Sequence, residues 1–350
     1  MVAIRVEALV RTEPVNVGTG LLPEIPVFAG VLERKDFSYH SVKSLPATET
    51  SVIEAKPTTE PSASASSRVL PVTVIIPTRN EARNLPRCLK ALRGVGEVYV
   101  IDSQSTDETC TIAESLGAKV VQFRYQGGWP KKRQWAMDTL PLAYDWILLL
   151  DADEVVTPQL AEEIGRAIQN SEVAGYRICL QMYFLGKILR HGDVNFWKTS
   201  LFRKGKGRYE CRLSEQDASM ADMEIHEHVT VDGPTAELRS PLVHHNIESL
   251  SRYIQKHNEY SNWESRVLLQ SDQCARAMPA SLSGTQAQRR RWLKRKLYRL
   301  PGSPVLLFLY RYFFRFGFLD GVPGLIYCVF QSVQMFHTKA KIYELQRARS

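Results

Sequence analysis

Trp146-Ile147-Leu148-Leu149-Leu150-Asp151-Ala152-Asp153-Glu154 runs from five apolar residues straight into three acids. The apolar part reads as a buried strand, and a chain rarely places three carboxylates at the mouth of its own core. In an extended segment residues i and i+2 point the same way, so Asp151 and Asp153 are expected to converge on one ligand. A pair of convergent carboxylates suits a hard divalent cation that keeps coordination positions for substrate phosphates. The alternative is an acidic strand-to-helix turn that caps a helix opening at Thr157-Pro158.

The surrounding chain favours a ligand site. Val72 to Ile76 is a β-branched strand, followed by Pro77-Thr78-Arg79-Asn80-Glu81 and a helical pattern on Leu85, Cys88, Leu89 and Leu92. A second strand, Val98 to Ile101, ends at Asp102 and leads into Ser103-Gln104-Ser105-Thr106-Asp107-Glu108. Ser105 and Glu108 have capping-box spacing, ahead of a helix through Ile112, Ala113 and Leu116 that stops at Gly117. A strand from Lys119 to Phe123 and a helix from Lys132 to Leu140 come next, before the strand that ends in the acids. Alternating strands and helices predict a parallel sheet of crossover units. Such sheets bind ligands beyond their carboxyl ends, where Glu81, Asp102, Asp151 and Asp153 all fall.

The first strand-to-helix turn carries no G-x-G-x-x-G, and no P-loop pattern occurs, so two familiar ways of cradling phosphate with backbone amides are absent. The acidic rim instead suggests a nucleotide held partly by carboxylates, its diphosphate bridged by metal.

V-I-I-P-T-R-N-E-A, V-Y-V-I-D-S-Q-S-T-D-E-T and L-L-L-D-A-D-E together resemble the nucleotide-sugar half of family-two glycosyltransferases. Lys132-Arg133-Gln134-Trp135-Ala136, Phe184-Leu185-Gly186-Lys187, Ile225-His226-Glu227 and Gly317-Phe318-Leu319-Asp320-Gly321 resemble the branch that includes lipopolysaccharide core glucosyltransferases. The similarity covers roughly residues 70 to 340, and the order of the motifs gives it weight. It implies an α/β, GT-A fold: a Rossmann-like nucleotide-sugar-binding half with a mixed, mainly parallel sheet, plus C-terminal amphipathic helices.

The resemblance also implies roles. Asp102 would hydrogen-bond the nucleotide base, with Pro77, Thr78, Asn80, Glu81 and Ser103 lining the base and ribose pocket. Arg133, Asp151 and Ala152 would face the donor, although Gln134 stands where the family pattern has Asn. Asp151 and Asp153 would form the metal motif for Mg2+ or Mn2+, with Asp153 a direct ligand, and Glu227 would be the catalytic base. The donor would be a UDP-sugar and the acceptor a glycan or glycolipid. A bound cation neutralises charge on the departing diphosphate, and a carboxylate takes the proton of the attacking hydroxyl. One base and one metal-bound leaving group suffice for a single inverting displacement.

Glu227 lies between His226 and His228, with His244 and His245 further on, which raises zinc, catalytic base and structural turn as readings. H-E-x-x-H spacing is missing and no cysteine pair accompanies the cluster, which argues against zinc. A histidine could still contact the diphosphate or a metal-bound water.

Residues 286–350 hold thirteen Lys and Arg against two Asp and Glu, while the rest of the chain holds 32 against 35. The basic run Arg289-Arg290-Arg291, Lys294-Arg295-Lys296 precedes Val305 to Tyr310, Phe313-Phe314 and Leu325 to Phe330. Arg311 and Arg315 interrupt the first apolar part, and Gln331 and Gln334 the second, so neither reads as a clean span. Basic and aromatic-rich helices together predict peripheral association with an anionic membrane on its cytoplasmic face; the alternative is that they pack on the catalytic domain. No nucleic-acid-binding module surrounds the Arg cluster, so nucleic acid is not an expected partner. Gln288-Arg289-Arg290-Arg291-Trp292 matches Q-x-x-R-W of processive synthases, but lies in an Arg-rich run without spanning helices and is read as coincidence.

Residues 1–70 read as a disordered tail and linker: Ala55 to Ser67 is rich in Pro, Ser, Thr and Ala, and the start lacks a signal-peptide pattern, although Leu21 to Leu32 is apolar enough to dock. Residues 71–265 are the expected GT-A domain and 266–350 the membrane-associating region. Six cysteines without paired spacing fit a reducing cytoplasm. A nucleotidyltransferase with a similar acidic rim, or a non-catalytic nucleotide-sugar-binding scaffold, are the rival functions.

Overall fold

The computed structural model describes residues 69–211, 227–245, 249–269, 281–283 and 286–348. The expected N-terminal tail and linker lie outside the described residues, apart from Val69 and Leu70, and so does His226.

The alternation read from the sequence forms β1 (Leu70–Thr78), α1 (Leu85–Lys90), β2 (Val95–Asp102), α2 (Thr109–Ser115), β3 (Lys119–Gln122), α3 (Lys132–Thr139) and β4 (Trp146–Leu149). These four strands lie in the order β3-β2-β1-β4, all parallel. Their residues alternate between two cores. Val74, Ile76, Trp146 and Leu148 pack with α1 and α2 side chains such as Leu85 and Ala113, while Ile75, Ile147 and Leu149 pack on the other face with Ala136 of α3.

Past the acids, β5 (Glu154–Val156), α4 (Pro158–Ala167), β6 (Gly175–Phe184), β7 (Lys187–Ile188), β8 (Phe196–Arg203), β9 (Gly207–Tyr209), β10 (Val229–Val231), β11 (Thr235–Glu237) and β12 (Leu242–His245) extend the structure. The large sheet continues β4-β8-β6-β12-β5, with β7 and β11 on β6, and β9 with β10 forms a separate antiparallel ribbon. β8 runs antiparallel to β4 and β6, whereas β11 and β12 are parallel to β6. The fold is therefore α/β, with a mixed and mainly parallel sheet.

Two local expectations change. Asp151 and Asp153 do not sit on an extended strand: β4 ends at Leu149, and a turn closed by Glu154 N–H donating to the Asp151 carbonyl, 3.0 Å, carries them. The Ser105–Glu108 capping box does not form. Ser105 turns back to the buried Asp102, which needs donors, and Asp107 Oδ1 accepts from the Thr109 N–H at 3.1 Å instead. By contrast, Thr157 caps α4 as its sequence suggests, accepting from Leu160 N–H at 3.2 Å.

The chain ends in α5 (Leu250–Leu269), α6 (Gln286–Arg299), α7 (Ser303–Leu309), a π-helical turn (Tyr310–Phe314), a 3-10 turn (Gly317–Asp320) and α8 (Gly321–Arg347). The expected boundary at 265/266 falls inside α5, a continuous helix that packs against α8. Two of the sequence motifs meet here. Phe184-Leu185-Gly186-Lys187 is the β6–β7 hairpin, with Leu185 and Gly186 in left-handed conformations, and Lys187 Nζ donates to the Asp320 carbonyl at 2.9 Å. Asp320 in turn accepts from the Arg190 and His191 amides at 2.9 and 2.8 Å.

Candidate active site

β1 and β2 end side by side, and the turns that follow them are laced together. Asn80, at φ 55°, donates its amide N–H to Ser105 Oγ at 2.8 Å and accepts from Thr106 N–H at 2.8 Å. Glu81 N–H donates to Thr109 Oγ1 at 2.9 Å. Asp102 is fully buried at the centre, accepting from Thr78 Oγ1 at 3.0 Å, Ser105 N–H at 2.8 Å, Gln122 Nε2 at 3.1 Å and the Ser105 hydroxyl. Burial pushes its carboxyl up, but these hydrogen bonds, led by Ser105, outweigh it and hold the group below the ordinary range. Four donors use the carboxylate's acceptor positions, so a base reaching Asp102 has to displace Ser105 or Gln122. The Ser103 hydroxyl beside it is buried with no partner. Pro77 is buried, and Ala152 sits in the hydrophobic core, leaving its backbone to the site.

The acids after β4 divide into two kinds. Glu154 is structural: its side chain is fully buried, accepts from the Asp151 amide at 2.9 Å and pairs with Lys198 of β8. Asp151 pairs with Arg133 and with Lys198 at 3.5 Å; Asp153 pairs with His244 Nε2 at 3.2 Å and Lys256 Nζ at 3.6 Å. Burial would raise both carboxyls. Arg133 and Lys198 hold Asp151 far below its usual range, and His244 and Lys256 do the same for Asp153. Glu81 belongs to this cluster too, its pKa raised by burial and then by the Asp153 charge.

Three consecutive residues tie the sequence-predicted groups together. Lys131 pairs with Glu227 at 3.2 Å, Lys132 Nζ donates to the Thr78 carbonyl at 2.8 Å, and Arg133 reaches Asp151. The side chains of Lys131 and Glu227 are completely buried, with the ammonium 5.4 Å from the Trp263 ring centre. The Gln134 side chain bonds Asp138 and the Tyr209 amide at 2.9 Å each, while Arg133 beside it pairs with Asp151. His228, next to Glu227, is held by Glu210 at 2.9 Å.

Sequence reasoning missed Lys198, Lys256 and the pairing of Lys131. Lys198 sits within an aromatic strand and Lys256 within a polar helix, and neither neighbourhood carries a motif. His244 was singled out only as one of several histidines.

The carboxylate pair fits a divalent cation. Both acids are kept ionised and lie close enough to repel each other. Among the described residues no three His, Cys, Asp or Glu side chains are grouped so as to hold a metal ion.

The acids lie past the carboxyl ends of β1, β2 and β4, the edge at which open α/β sheets bind ligands. The chain matches the family model described as glycosyl transferase family 2 over residues 73–215. It is 27% identical over 282 residues to the lipopolysaccharide core biosynthesis glycosyltransferase LpsC of Rhizobium meliloti, a match covering 79% of this chain and 93% of that one. An uncharacterized glycosyltransferase of Rickettsia conorii is 25% identical, over 78% of this chain and 90% of its own. The resemblance to the lipopolysaccharide core branch is thus borne out. Among solved structures, glucosyl-3-phosphoglycerate synthase from Mycobacterium tuberculosis, in complex with Mn2+ and UDP, aligns at 19% identity and a TM-score of 0.25. That alignment covers 33% of this chain and 44% of the mycobacterial one, a local resemblance only.

Proposed function

We propose that the chain is an inverting, divalent-cation-dependent glycosyltransferase. It moves one sugar from a UDP-sugar to a lipid-linked or lipopolysaccharide-type glycan at the cytoplasmic face of a membrane. The observation that carries this reading is the ionised pair Asp151 and Asp153, joined through Arg133 and Lys131 to the buried carboxylate of Glu227.

Asp151 and Asp153 would hold Mg2+ or Mn2+, which when bound neutralises charge on the departing diphosphate. Lys198, Arg133, Lys256 and His244 balance the acids while the site is without phosphate, and offer cationic partners to phosphate oxygens once a donor enters. The Ser103 hydroxyl, buried and unpartnered, supplies a polar contact where the base and ribose enter. Glu227 takes the acceptor proton. Its present pairing with Lys131 keeps the carboxylate oriented at the head of α3, and the acceptor hydroxyl competes with that ammonium for it.

The test is the product released from defined donors. The transferase reading expects UDP from a UDP-sugar with Mn2+ present. Pyrophosphate released from a nucleoside triphosphate would make the protein a nucleotidyltransferase, and release of neither a scaffold.

Recruitment to anionic lipid forms a separate part of the reading. Lys294 of the basic run pairs with the buried Glu264 and so helps to hold α6 to the fold, while Arg289 and Lys296 are exposed. Replacing Arg289, Arg290, Arg291, Lys294, Arg295 and Lys296 with Gln should lower sedimentation with anionic vesicles, since each basic residue near such a surface contributes about 1 kcal/mol. Raised salt should weaken the native protein in the same way. Equal binding by both proteins at low salt defeats electrostatic recruitment.

A further inference from the structure

α8 is apolar on the wrong side for a helix in water. Its outward positions from Val322 to Ala340 are Val322, Leu325, Val329, Val333, Phe336 and Ala340, at helical spacing and without a polar side chain. Its polar residues turn the other way: Gln331 Nε2 lies 3.4 Å from the Tyr253 hydroxyl of α5, and Gln334 Oε1 is buried. The glutamines that interrupt the apolar run therefore face the protein. Tyr327 and Phe330 join that inner face, packing with Met182 and Phe184 of β6. An apolar helix face belongs in a core or a membrane, and the outer face of this helix has no core to enter.

The same surface continues through the preceding turns. α7 lies alongside α8, with Ser332 Oγ donating to the Pro304 carbonyl at 2.6 Å and Lys339 Nζ to Ser303 Oγ at 3.0 Å. Phe313, Phe314, Phe316 and Leu319, in the bend between the two helices, are 52%, 74%, 55% and 55% exposed. From Val305 to Ala340, Arg315 is the single charged residue among the exposed positions. Arg311 turns inward and donates to the Gly192 carbonyl at 3.2 Å, and Asp320 is buried. Apolar surface on this scale marks an interaction site.

We propose that the outer face of α7, the bend and α8 is immersed in one leaflet of a lipid bilayer, as a monotopic anchor. Charge selects lipid as the occupant: exposed Arg190 and Arg315 flank the bend, and the strongly basic α6 leads into it, an arrangement that matches anionic headgroups around an apolar insert. The stripe from Val322 to Ala340 is about 27 Å long at 1.5 Å per residue, but the opposite face of α8 is committed to α5 and β6. The helix thus lies in the interface and does not cross it. No single described helix is long and apolar enough to span, while α7 and its π-helical turn, bent by 70° against the 3-10 turn and α8, pass that test only as a pair.

This deepens the membrane part of the proposed function and shifts its weight from basic residues to an apolar face. The experiment is sedimentation with neutral phosphatidylcholine vesicles at salt on the order of 0.5 M, where surface charge is screened. The full chain is compared with the triple variant Phe314→Gln, Val322→Gln, Phe336→Gln, whose three sites are all more than half exposed. Native protein should pellet with the vesicles, and the triple variant should bind about tenfold less or weaker still, with an unchanged Tm and unchanged stabilisation by UDP. Native protein left in the supernatant, or a triple variant that binds as the native does, overturns the anchor. So does native self-association without vesicles that the triple variant loses, since that assigns the face to a second copy of the chain. UDP release, measured in the same samples, reports on the transferase reading separately.

Discussion

Asp153→Asn should reduce sugar transfer by about 10²–10³-fold, the scale on which a single group stabilising transition-state charge acts. The carboxylate is needed because Asp151, Asp153 and a donor diphosphate are all anionic and repel one another unless a cation joins them. Asn also leaves His244 Nε2 and Lys256 Nζ facing a neutral amide, so some fall in Tm is part of the expected outcome. The measurement that isolates the metal is the rise in Tm given by UDP with Mn2+ minus that with UDP alone. It should be clear in the native protein and nearly absent in the variant, and the subtraction cancels the structural cost. Full transfer by the variant in a chelator removes Asp153 from metal binding.

Glu227→Gln tests the second half of the chemistry. A general base acts only as the acceptor attacks, so kcat should fall by about 10²–10⁴-fold while UDP affinity changes little. Its completely buried partner complicates the result: Lys131 would lose the Glu227 carboxylate, and breaking a buried pair costs about 3–5 kcal/mol. The double variant Glu227→Gln, Lys131→Met separates the two effects. If Glu227 is the base, restoring Tm by removing the ammonium leaves turnover low. Turnover that recovers along with Tm makes the pair structural.

Much of this architecture was legible because local patterns agreed with one another. β-branched runs, helical spacing and acids placed just past strands pointed to four strands of a parallel sheet with carboxylates beyond their ends, though not to their order in the sheet. Asp151 and Asp153 do come together, but through a turn closed at Glu154 and not through the two-residue period of a strand. Lys198 and Lys256 were invisible because they come from β8 and α5, and only the completed sheet brings them to the acids. Asp102 shows another limit. Its sequence position points to a ligand, yet its hydrogen bonds are spent internally, something that depends on where Ser105 and Gln122 turn. The glutamines of α8 do break up a clean span, but polarity along a chain does not say which way a helix is rotated, and they face the protein.

Helix α5 carries Tyr253, stacked on Phe330 of α8 with ring centres 5.2 Å apart, and one turn later Lys256, 3.6 Å from the Asp153 carboxylate. The outward-facing helix and the acidic cluster after β4 are therefore both held by one continuous helix, α5. If the outer face of α8 rests on lipid and the acids hold the donor, as proposed, the stand-off between the two is a fixed height set by helix geometry, not by a tether. Acceptors whose reactive hydroxyl stands at that height would be served, and a graded series of glycolipid lengths should show a single optimum.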